Sequence, residues 1–308
     1  MSSPRALTCQ WRSQREFNVL LRCGTQTIDL AQPVVMGVLN VTPDSFSDGG
    51  QFRDVATAVG HGLALVEEGA AIIDVGGEST RPGAEPVSAE EEIHRVIPVV
   101  EKLRDQTGAV ISIDTSKPQV MRAAVEAGAG FINDVRALSE EGALQVAAAT
   151  QCAVCVMHMQ GDPRSMQFAP HYADVVHEVK AFLDERVEVC RAAGIAADRI
   201  VIDPGFGFGK TLEHNLQLLR HLGELSSPRS GSNWPIMAGL SRKSIVGRLT
   251  GRPSGERVHG SVALAVMAVI NGARIVRVHD VGATVDALKT VVAVLRLEVG
   301  NESTILRN

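Results

Sequence analysis

Polar side chains follow nearly every short apolar run of this 308-residue chain, at the point where the run ends. Carboxylate, amide and ammonium groups in this combination can offer acceptors and donors to a flat heterocycle with a guanidine-like edge. Capping of the following helices accounts for one or two of them, such as Asp114, but not for the whole set. The pattern therefore predicts one shared ligand site, built from Asn40, Asp74, Asp114, Asn133, Asp134, His158, Asp203, Ser241, Arg242, Lys243, Arg277 and His279.

The last of these positions also indicate an anion. Arg277 and His279 are two residues apart, so on a strand they point to the same side, although Arg277 in a rim salt bridge is the alternative. Asn40 offers an amide oxygen to Mg²⁺, whose other ligands would come from a phosphate. No convincing nucleophile–base pair accompanies the set, which favours a reaction driven by stabilisation of a leaving group over a hydrolytic triad.

The elements that position these residues alternate along the chain. Apolar runs predict strands at 34–39, 71–75, 109–113, 131–132, 153–157, 200–202, 235–238 and 274–278. Helix-period segments lie between them, at 54–68, 89–105, 117–127, 140–149, 172–193, 212–222, 256–271 and 283–297. This alternation predicts an α/β fold, a (β/α)8 TIM barrel, which collects the ends of its strands around one mouth. An open doubly wound sheet is the alternative.

The remaining segments complete the predicted organisation. A short N-terminal β-hairpin is expected from 17–21 and 27–30, inside a single domain over 15–300. Residues 1–14 are expected to be a disordered extension, and 301–308 a tail. Residues 261–270 form a helix segment with no polar face, which predicts a homodimer because a helix covering an ordinary barrel would show one.

Composition excludes several classes of protein. A net charge of −5 with mixed signs disfavours a nucleic-acid binder, and no apolar stretch is long enough for a membrane span or a signal peptide. Five scattered cysteines indicate reduced thiols in a cytoplasmic protein. Cys152 and Cys155 are three residues apart on a predicted strand, so they should face opposite sides and serve the core.

The glycine-rich segment 203–211 invites comparison with a phosphate-binding loop. That loop needs a glycine, four residues, and then Gly-Lys-Ser/Thr, but Pro204 stands where the first glycine should be. The glycine spacing also differs from the dinucleotide-binding fingerprint. We therefore interpret it as a strand-to-helix loop whose functional residue is Asp203. Two other segments, 42–50 and 76–84, have the composition of loops that could close over a substrate.

Four segments together resemble one enzyme family. Residues 40–48 (NVTPDSFSD), 76–83 (GGESTRPG), 203–210 (DPGFGFGK) and 241–243 (SRK) are similar to the bacterial dihydropteroate synthases, over a span of about residues 17 to 297. The resemblance implies a TIM barrel, usually dimeric, that joins 6-hydroxymethyl-7,8-dihydropterin diphosphate to 4-aminobenzoate in folate synthesis. It also implies a target of sulfonamides, which mimic 4-aminobenzoate.

The resemblance further assigns roles to individual residues. Asp114, Asn133, Asp203 and Lys243 would hold the pterin, with Met157 and Phe208 near it. Arg277 and His279 would bind the diphosphate, and Asn40 would bind Mg²⁺. The aminobenzoate site would be shaped by Thr80, Arg81, Pro82 and Ser241, with Ser79 beside them and Phe46 on the first loop. Asp114, Asp203, Lys243, Arg277 and His279 would be the catalytic set.

Two rival functions share part of this pattern. A pterin-binding barrel that passes a methyl group from a reduced folate would use the same aspartates and asparagine. It would not need the Ser-Arg-Lys segment at 241–243 with Arg277 and His279 for a diphosphate, nor the Thr-Arg-Pro segment at 80–82. A non-catalytic pterin-binding homologue would be marked by loss of one of these ligands, and every matched position retains its residue.

Overall fold

The computed structural model describes residues 20–41, 51–78, 86–161, 166–226 and 233–297, without the side chains of 51–54, 296 and 297. The strands in these ranges are β1 (Leu20–Cys23), β2 (Gln26–Asp29), β3 (Val34–Asn40), β4 (Ile72–Gly76), β5 (Val110–Asp114), β6 (Phe131–Asp134), β7 (Ala153–Met157), β8 (Ile200–Asp203), β9 (Ile236–Ala238) and β10 (Ala273–Val278). The α-helices are α1 (Gln51–Glu67), α2 (Ala89–Gln106), α3 (Pro118–Ala127), α4 (Ala143–Ala149), α5 (Val175–Ala192), α6 (Leu212–Arg220), α7 (Leu222–Leu225), α8 (Ser244–Thr250), α9 (Val258–Ile270) and α10 (Val281–Leu297).

Strands β3 to β10 form a closed barrel in which each strand lies beside the next one in the sequence. All the pairings are parallel, and β10 pairs with β3 to complete the circle. Each strand is short and almost wholly buried, as expected when side chains pack inside the barrel and against helices outside it. The predicted barrel is confirmed, and the open sheet is excluded.

The antiparallel pair β1 and β2 closes the N-terminal end of the barrel. Leu21 and Ile28 of this hairpin belong to one buried cluster with Met36, Ile72 and Val110, which are among the first inward-facing residues of the barrel strands. The hairpin was predicted, but its first strand runs on to Cys23, and the part of the prediction at 17–19 lies outside the described residues. Among the described residues, the hairpin therefore covers the end of the barrel at which its strands begin.

The outer faces of the strands form a second and larger cluster with the helices. Cys152 belongs to this outer cluster, whereas Cys155 lies in the interior cluster. The prediction that the two thiols face opposite sides and serve the core is therefore confirmed. The cysteines in the described ranges are free and buried, namely Cys23, Cys152, Cys155 and Cys190.

Helix boundaries differ from the sequence prediction where local capping decides them. The segment expected from residue 140 becomes helical only at Ala143, because Gly142 adopts a left-handed conformation before it. The segment expected from 172 starts at Val175, because the Asp174 side chain caps it by accepting from the backbone N–H groups of Val176 and His177. The seven-residue helix α8 was not predicted. No helix within the described ranges has the length and apolarity needed to cross a membrane.

Candidate active site

The strand register gathers the predicted residues inside the barrel at the end where its strands finish, which we call the upper half. Asn40 is in register with Gly76, Gly76 with Asp114, and Asp114 with Asn133. Residues in register on neighbouring parallel strands point to the same side. This row points inward, because Asp114 is four residues after Val110 on the same strand, and Val110 belongs to the interior cluster. One level lower, Asp74 is in register with Ser112. The lower barrel is therefore apolar and the upper barrel polar.

Arg277 lies between two carboxylates of this polar region. Its Nε donates to Asp74 Oδ2 at 2.5 Å, and its Nη2 donates to Asp114 Oδ2 at 2.6 Å. Asp74 is completely buried and also accepts from Ser112 Oγ at 2.6 Å and from Asn133 Nδ2 at 2.9 Å. The salt bridge expected as an alternative for Arg277 is thus present, and its partners are residues of the candidate site.

The charges in this cluster perturb one another strongly. Burial raises the pKa of Asp114 to about 7, even though the neighbouring Arg277 favours its ionised form. Burial alone would lower the pKa of Arg277, but Asp74 and Asp114 outweigh it and raise that pKa above its ordinary value. The guanidinium is therefore permanently charged, whereas Asp114 can change its protonation near neutral pH.

A second charged group, Lys243, follows β9, the strand that pairs with the Arg277 strand β10. Lys243 Nζ donates to the backbone oxygen of Phe206 at 2.5 Å and lies 4.7 Å from the centroid of the Phe208 ring. Burial lowers the pKa of Lys243 to about 8, with Asp203 opposing the shift. Burial also raises the pKa of Asp203, against the effect of Lys243, and its Oδ1 accepts from Gly205 N at 2.6 Å. Met157 is in register with Asp203 and lies beside Gly205.

The turn at residues 241–243 carries Ser241 to the end of β10. Ser241 Oγ accepts from the backbone N–H of His279 at 3.2 Å and lies 3.1 Å from His279 Nδ1. Arg242, at a positive φ of 57°, donates from its backbone N–H to Ser261 Oγ at 2.9 Å and forms an ion pair with Asp280. Contacts to both sides thus fix this turn, and His279 lies on the same wall of the barrel as Arg277.

Asn40 ends β3 in the same register row, and its Oδ1 and the Asp114 carboxylate both lie close to Gly76. The described residues contain no group of three or more His, Cys, Asp or Glu side chains that could hold a metal ion. One amide oxygen fits a Mg²⁺ ion that takes most of its ligands from a phosphate and water, since Mg²⁺ is usually bound in this way. The residues present are compatible with that kind of metal site.

Two of the strand-end residues serve the scaffold instead. Asp134 follows the inward-facing Asn133, and its carboxylate accepts from Ser116 Oγ at 2.5 Å and from the backbone N–H groups of Arg136 and Leu138, both at 2.8 Å. His158 is buried against Lys210, with its ring 5.0 Å from that of Phe182. The expectation that every strand-end residue faces one ligand is therefore wrong for these two.

Sequence reasoning missed residues that stand behind the site. Ser112 supports Asp74, and its signal was its position two residues before Asp114 inside an apolar strand. Lys117 forms ion pairs with Glu78 and with the fully buried Glu92. Glu78 Oε1 also accepts from Val87 N at 3.2 Å, so it joins the two sides of segment 79–85. No sequence signal identified this charged group of Lys117, Glu78 and Glu92, because its members come from three separate segments.

Five predicted site residues lie outside the described ranges, namely Phe46, Ser79, Thr80, Arg81 and Pro82. All of them belong to the predicted aminobenzoate site or its neighbourhood. The remaining predicted residues are brought together at one end of the barrel: Asn40, Asp114, Asn133, Met157, Asp203, Phe208, Ser241, Lys243, Arg277 and His279.

Comparison with known proteins places this barrel in a family. Residues 36–279 match the family described as pterin binding enzyme, and the chain belongs to this family. It is 52% identical to the dihydropteroate synthase of Escherichia coli (strain K12) over 269 residues, which cover 87% of this chain and 94% of that protein.

Solved structures narrow the assignment within the family. A Xanthomonas albilineans dihydropteroate synthase with 4-aminobenzoic acid superposes with a TM-score of 0.85 at 54% identity, covering 91% of this chain and 99% of that one. The enzyme of the same organism in complex with 7,8-dihydropteroate gives a TM-score of 0.81 at 51% identity, covering 90% and 98%. Within the pterin-binding enzymes, the chain is a member of the dihydropteroate synthases.

Proposed function

We propose that the polar end of this barrel joins 6-hydroxymethyl-7,8-dihydropterin diphosphate to 4-aminobenzoate, and that the residues described above divide the task between the two ends of the pterin substrate. Asp114, Asn133, Asp203 and Lys243 bind the pterin ring. Their carboxylate and amide groups match the amino and ring N–H groups of its guanidine-like edge. Met157 and Phe208 supply apolar contacts to the ring.

The single observation that best supports this assignment is the position of the Arg277 guanidinium. It is bound by Asp74 and Asp114, which are the kind of buried carboxylates that also recognise a pterin edge. Two of its N–H donors make these bonds, and other donors of the same group remain for an anion. Arg277 can therefore lie between the pterin and its diphosphate and contact both.

At the other end of the substrate, Arg277 and His279 bind the diphosphate, and Asn40 would hold a Mg²⁺ ion through its amide oxygen. When bound, that ion would supply positive charge to the departing diphosphate. Ser241 holds His279 through its hydroxyl group. The proposal leaves 4-aminobenzoate to Ser241 and to residues outside the described ranges, namely Ser79, Thr80, Arg81 and Pro82, with Phe46 near them.

In the reaction, the bond between the pterin methylene carbon and the diphosphate oxygen breaks, and the electron pair leaves with diphosphate. The electron-rich dihydropterin stabilises the cation that remains, and the Asp114 and Asp203 carboxylates favour that cation. The amine nitrogen of 4-aminobenzoate then forms the new C–N bond and releases one proton to solvent. The neutral amine is already nucleophilic, so the reaction needs no strong general base.

The test is to incubate the purified protein with both substrates and Mg²⁺ and to follow dihydropteroate by mass spectrometry. Formation of dihydropteroate and an equal amount of diphosphate is expected, with none when either substrate is omitted. The Asp114→Asn variant should lose most of this activity, whereas Arg252→Met, which removes an exposed charge that forms a surface ion pair with Glu256, should retain it. Diphosphate release without a C–N bond would contradict the proposal.

We also propose that the active form is a homodimer, with α9 and its neighbour α10 at the interface, and that it resides in the cytoplasm. Met267 on α9 is 43% exposed and Val294 on α10 is 57% exposed, and both are large apolar side chains. The two helices pack against each other, so these side chains can contribute to one apolar surface.

A further inference from the structure

Lys210, the lysine of the glycine-rich segment, points into the protein and not toward a phosphate. It is only 3% exposed. Its Nζ donates to the backbone oxygens of Gly205 and Phe208, both at 2.9 Å, and lies 2.9 Å from His158 Nδ1. A longer contact of 3.3 Å reaches the backbone oxygen of His158. An ammonium has three N–H donors, so these acceptors use its full capacity.

Lys210 binds backbone carbonyl groups of segment 205–209, and this segment has no room for a Cβ atom at Gly205 or Gly209. Gly205, Gly207 and Gly209 all have positive φ, at 67°, 83° and 61°. A Cβ at Gly205 would lie 1.9 Å from the backbone oxygen of His158, and one at Gly209 would lie 2.4 Å from that of Gln160. The segment is therefore pressed against the chain that follows β7, and its carbonyl groups converge on the buried ammonium.

The other side of the same segment faces the candidate active site. The Phe206 carbonyl accepts from Lys243, and the Phe208 ring lies beneath the Lys243 ammonium. Asp203, at the start of the segment, accepts from the Gly205 N–H. Lys210 thus binds the carbonyls on either side of Phe206, while Phe206 and Phe208 contact Lys243.

Electrostatics connects Lys210 to Asp203 as well. Burial raises the pKa of Asp203, and the charges of Lys243, Lys210 and Arg277 oppose that shift. The three cations come from different parts of the chain, since Lys243 lies just before α8, Lys210 just before α6 and Arg277 on β10. The Cys155 thiol on β7 also interacts electrostatically with Asp203. Burial lowers the pKa of Lys210 itself to about 7, so its charge acts on Asp203 mainly below neutral pH. In that range, loss of the Lys210 charge alone would leave the others in place and would favour the protonated form of Asp203.

We propose that Lys210 is a positioning residue for the pterin end of the active site. Its ammonium holds segment 205–209 so that Phe206 and Phe208 present Lys243 to the pterin, and its charge favours the ionised Asp203 that the pterin requires. This proposal rests on the function proposed above. It assigns a role to the lysine of a motif that resembles a phosphate loop but has Pro204 in place of that loop's first glycine.

The test is the Lys210→Met variant of the full chain, compared with Lys102→Met on the exposed face of α2 as a matched control. The KM for the pterin diphosphate should rise by about tenfold or more, as expected when a charge-assisted contact is lost, while the KM for 4-aminobenzoate stays within about twofold. A purely structural role would lower the active fraction, and therefore kcat, without separating the two KM values.

A second readout is the pH dependence of kcat/KM for the pterin substrate. Removing a cation near Asp203 raises the pKa of that carboxyl, so the acid limb of the profile should move to higher pH in Lys210→Met and not in Lys102→Met. Both readouts require that the wild-type protein forms dihydropteroate. Failure of the proposed function would therefore appear first, in the wild type, and would be distinct from failure of this inference.

If Lys210→Met does not fold, His158→Phe decides the question. It removes the ring nitrogen that contacts Lys210 but keeps an aromatic ring for packing against Tyr172 and Phe182. A rise of a few-fold in the pterin KM alone is expected, because one of several acceptors is lost. An unchanged pterin KM and acid limb, in whichever of the two variants folds, would overturn the proposal.

Discussion

Replacement of Arg277 by methionine would remove the cation that separates two carboxylates in the upper barrel. Its Nε and Nη2 lie 2.5 Å from Asp74 and 2.6 Å from Asp114. The side chain of Asp74 is completely buried and that of Asp114 is 12% exposed, whereas that of Arg277 is 22% exposed, so water would replace the guanidinium only in part. Methionine keeps much of the apolar volume, and the substitution therefore isolates the effect of the charge.

The size of the effect follows from what remains around the two acids. Removing one partner of a buried ion pair costs about 3–5 kcal/mol. Asp74 keeps its hydrogen bonds from Ser112 and Asn133, and Asp114 can take up a proton because its pKa is already about 7. We therefore expect the low end, about 3 kcal/mol, which in a domain of this size lowers Tm by roughly 6 °C.

The loss of stability should also depend on pH. Loss of the guanidinium raises the pKa of Asp114 further, and a carboxyl whose folded-state pKa lies above its unfolded value loses stability as pH rises. In the wild type, this stability falls with rising pH until about pH 7, the folded-state pKa of Asp114. In the variant, the stability should continue to fall at higher pH. The difference in Tm between wild type and Arg277→Met should accordingly be larger near pH 8 than near pH 5.5. A change of about half a pH unit in either value does not alter this expectation.

Thermal unfolding followed by circular dichroism at these two pH values measures the effect. Arg252→Met is the matched control, because Arg252 is 64% exposed and its ion pair with Glu256 should contribute less than about 1 kcal/mol. The double variant Asp74→Asn/Arg277→Met should recover part of the loss, since it leaves no unpaired charge at residue 74. A decrease in Tm no greater than that of Arg252→Met at both pH values would refute this reasoning.

The remaining predictions concern stability, assembly and binding order. Asp114→Asn should raise Tm relative to the wild type, and by more near pH 8 than near pH 4. The substitution removes a carboxyl whose folded-state pKa of about 7 exceeds its unfolded value. An equal increase in Tm at both pH values would contradict this link between the pKa of Asp114 and stability. Met267→Glu on the exposed surface of α9 should convert a dimer to a monomer in light scattering at micromolar concentration, whereas a monomeric wild type would remove the basis for the dimer. Calorimetric titration should show 4-aminobenzoate binding well only when diphosphate, Mg²⁺ and a pterin are present. The composition of segments 42–50 and 76–84 predicts loops whose ordering costs entropy, and binding of the first ligands can offset that cost. Equal affinity without those ligands would mean that the pocket is preformed.

The sequence by itself determined the barrel and predicted most of the residues that lie at its polar end. Strands of a parallel barrel are buried on both faces, so they appear as continuous apolar runs, and eight of them alternate with helical segments. Parallel strands also end at the same mouth, which is why Asn40, Asp114, Asp203 and Arg277 could be grouped from their places at the ends of apolar runs. Helix boundaries were less predictable, since Gly142 and similar residues decide them locally.

Only the tertiary structure decided which polar residues at the strand ends face the interior of the barrel. Asn133 and Asp134 are adjacent at the end of one strand, but alternation sends Asn133 into the barrel and Asp134 toward the backbone of the next loop. Lys210 and Lys243 are both lysines beside Asp203, yet one lies under the loop and the other above it. The physical reason is that side-chain direction follows from strand parity and from the path of the closed barrel, and both are fixed only when distant strands meet.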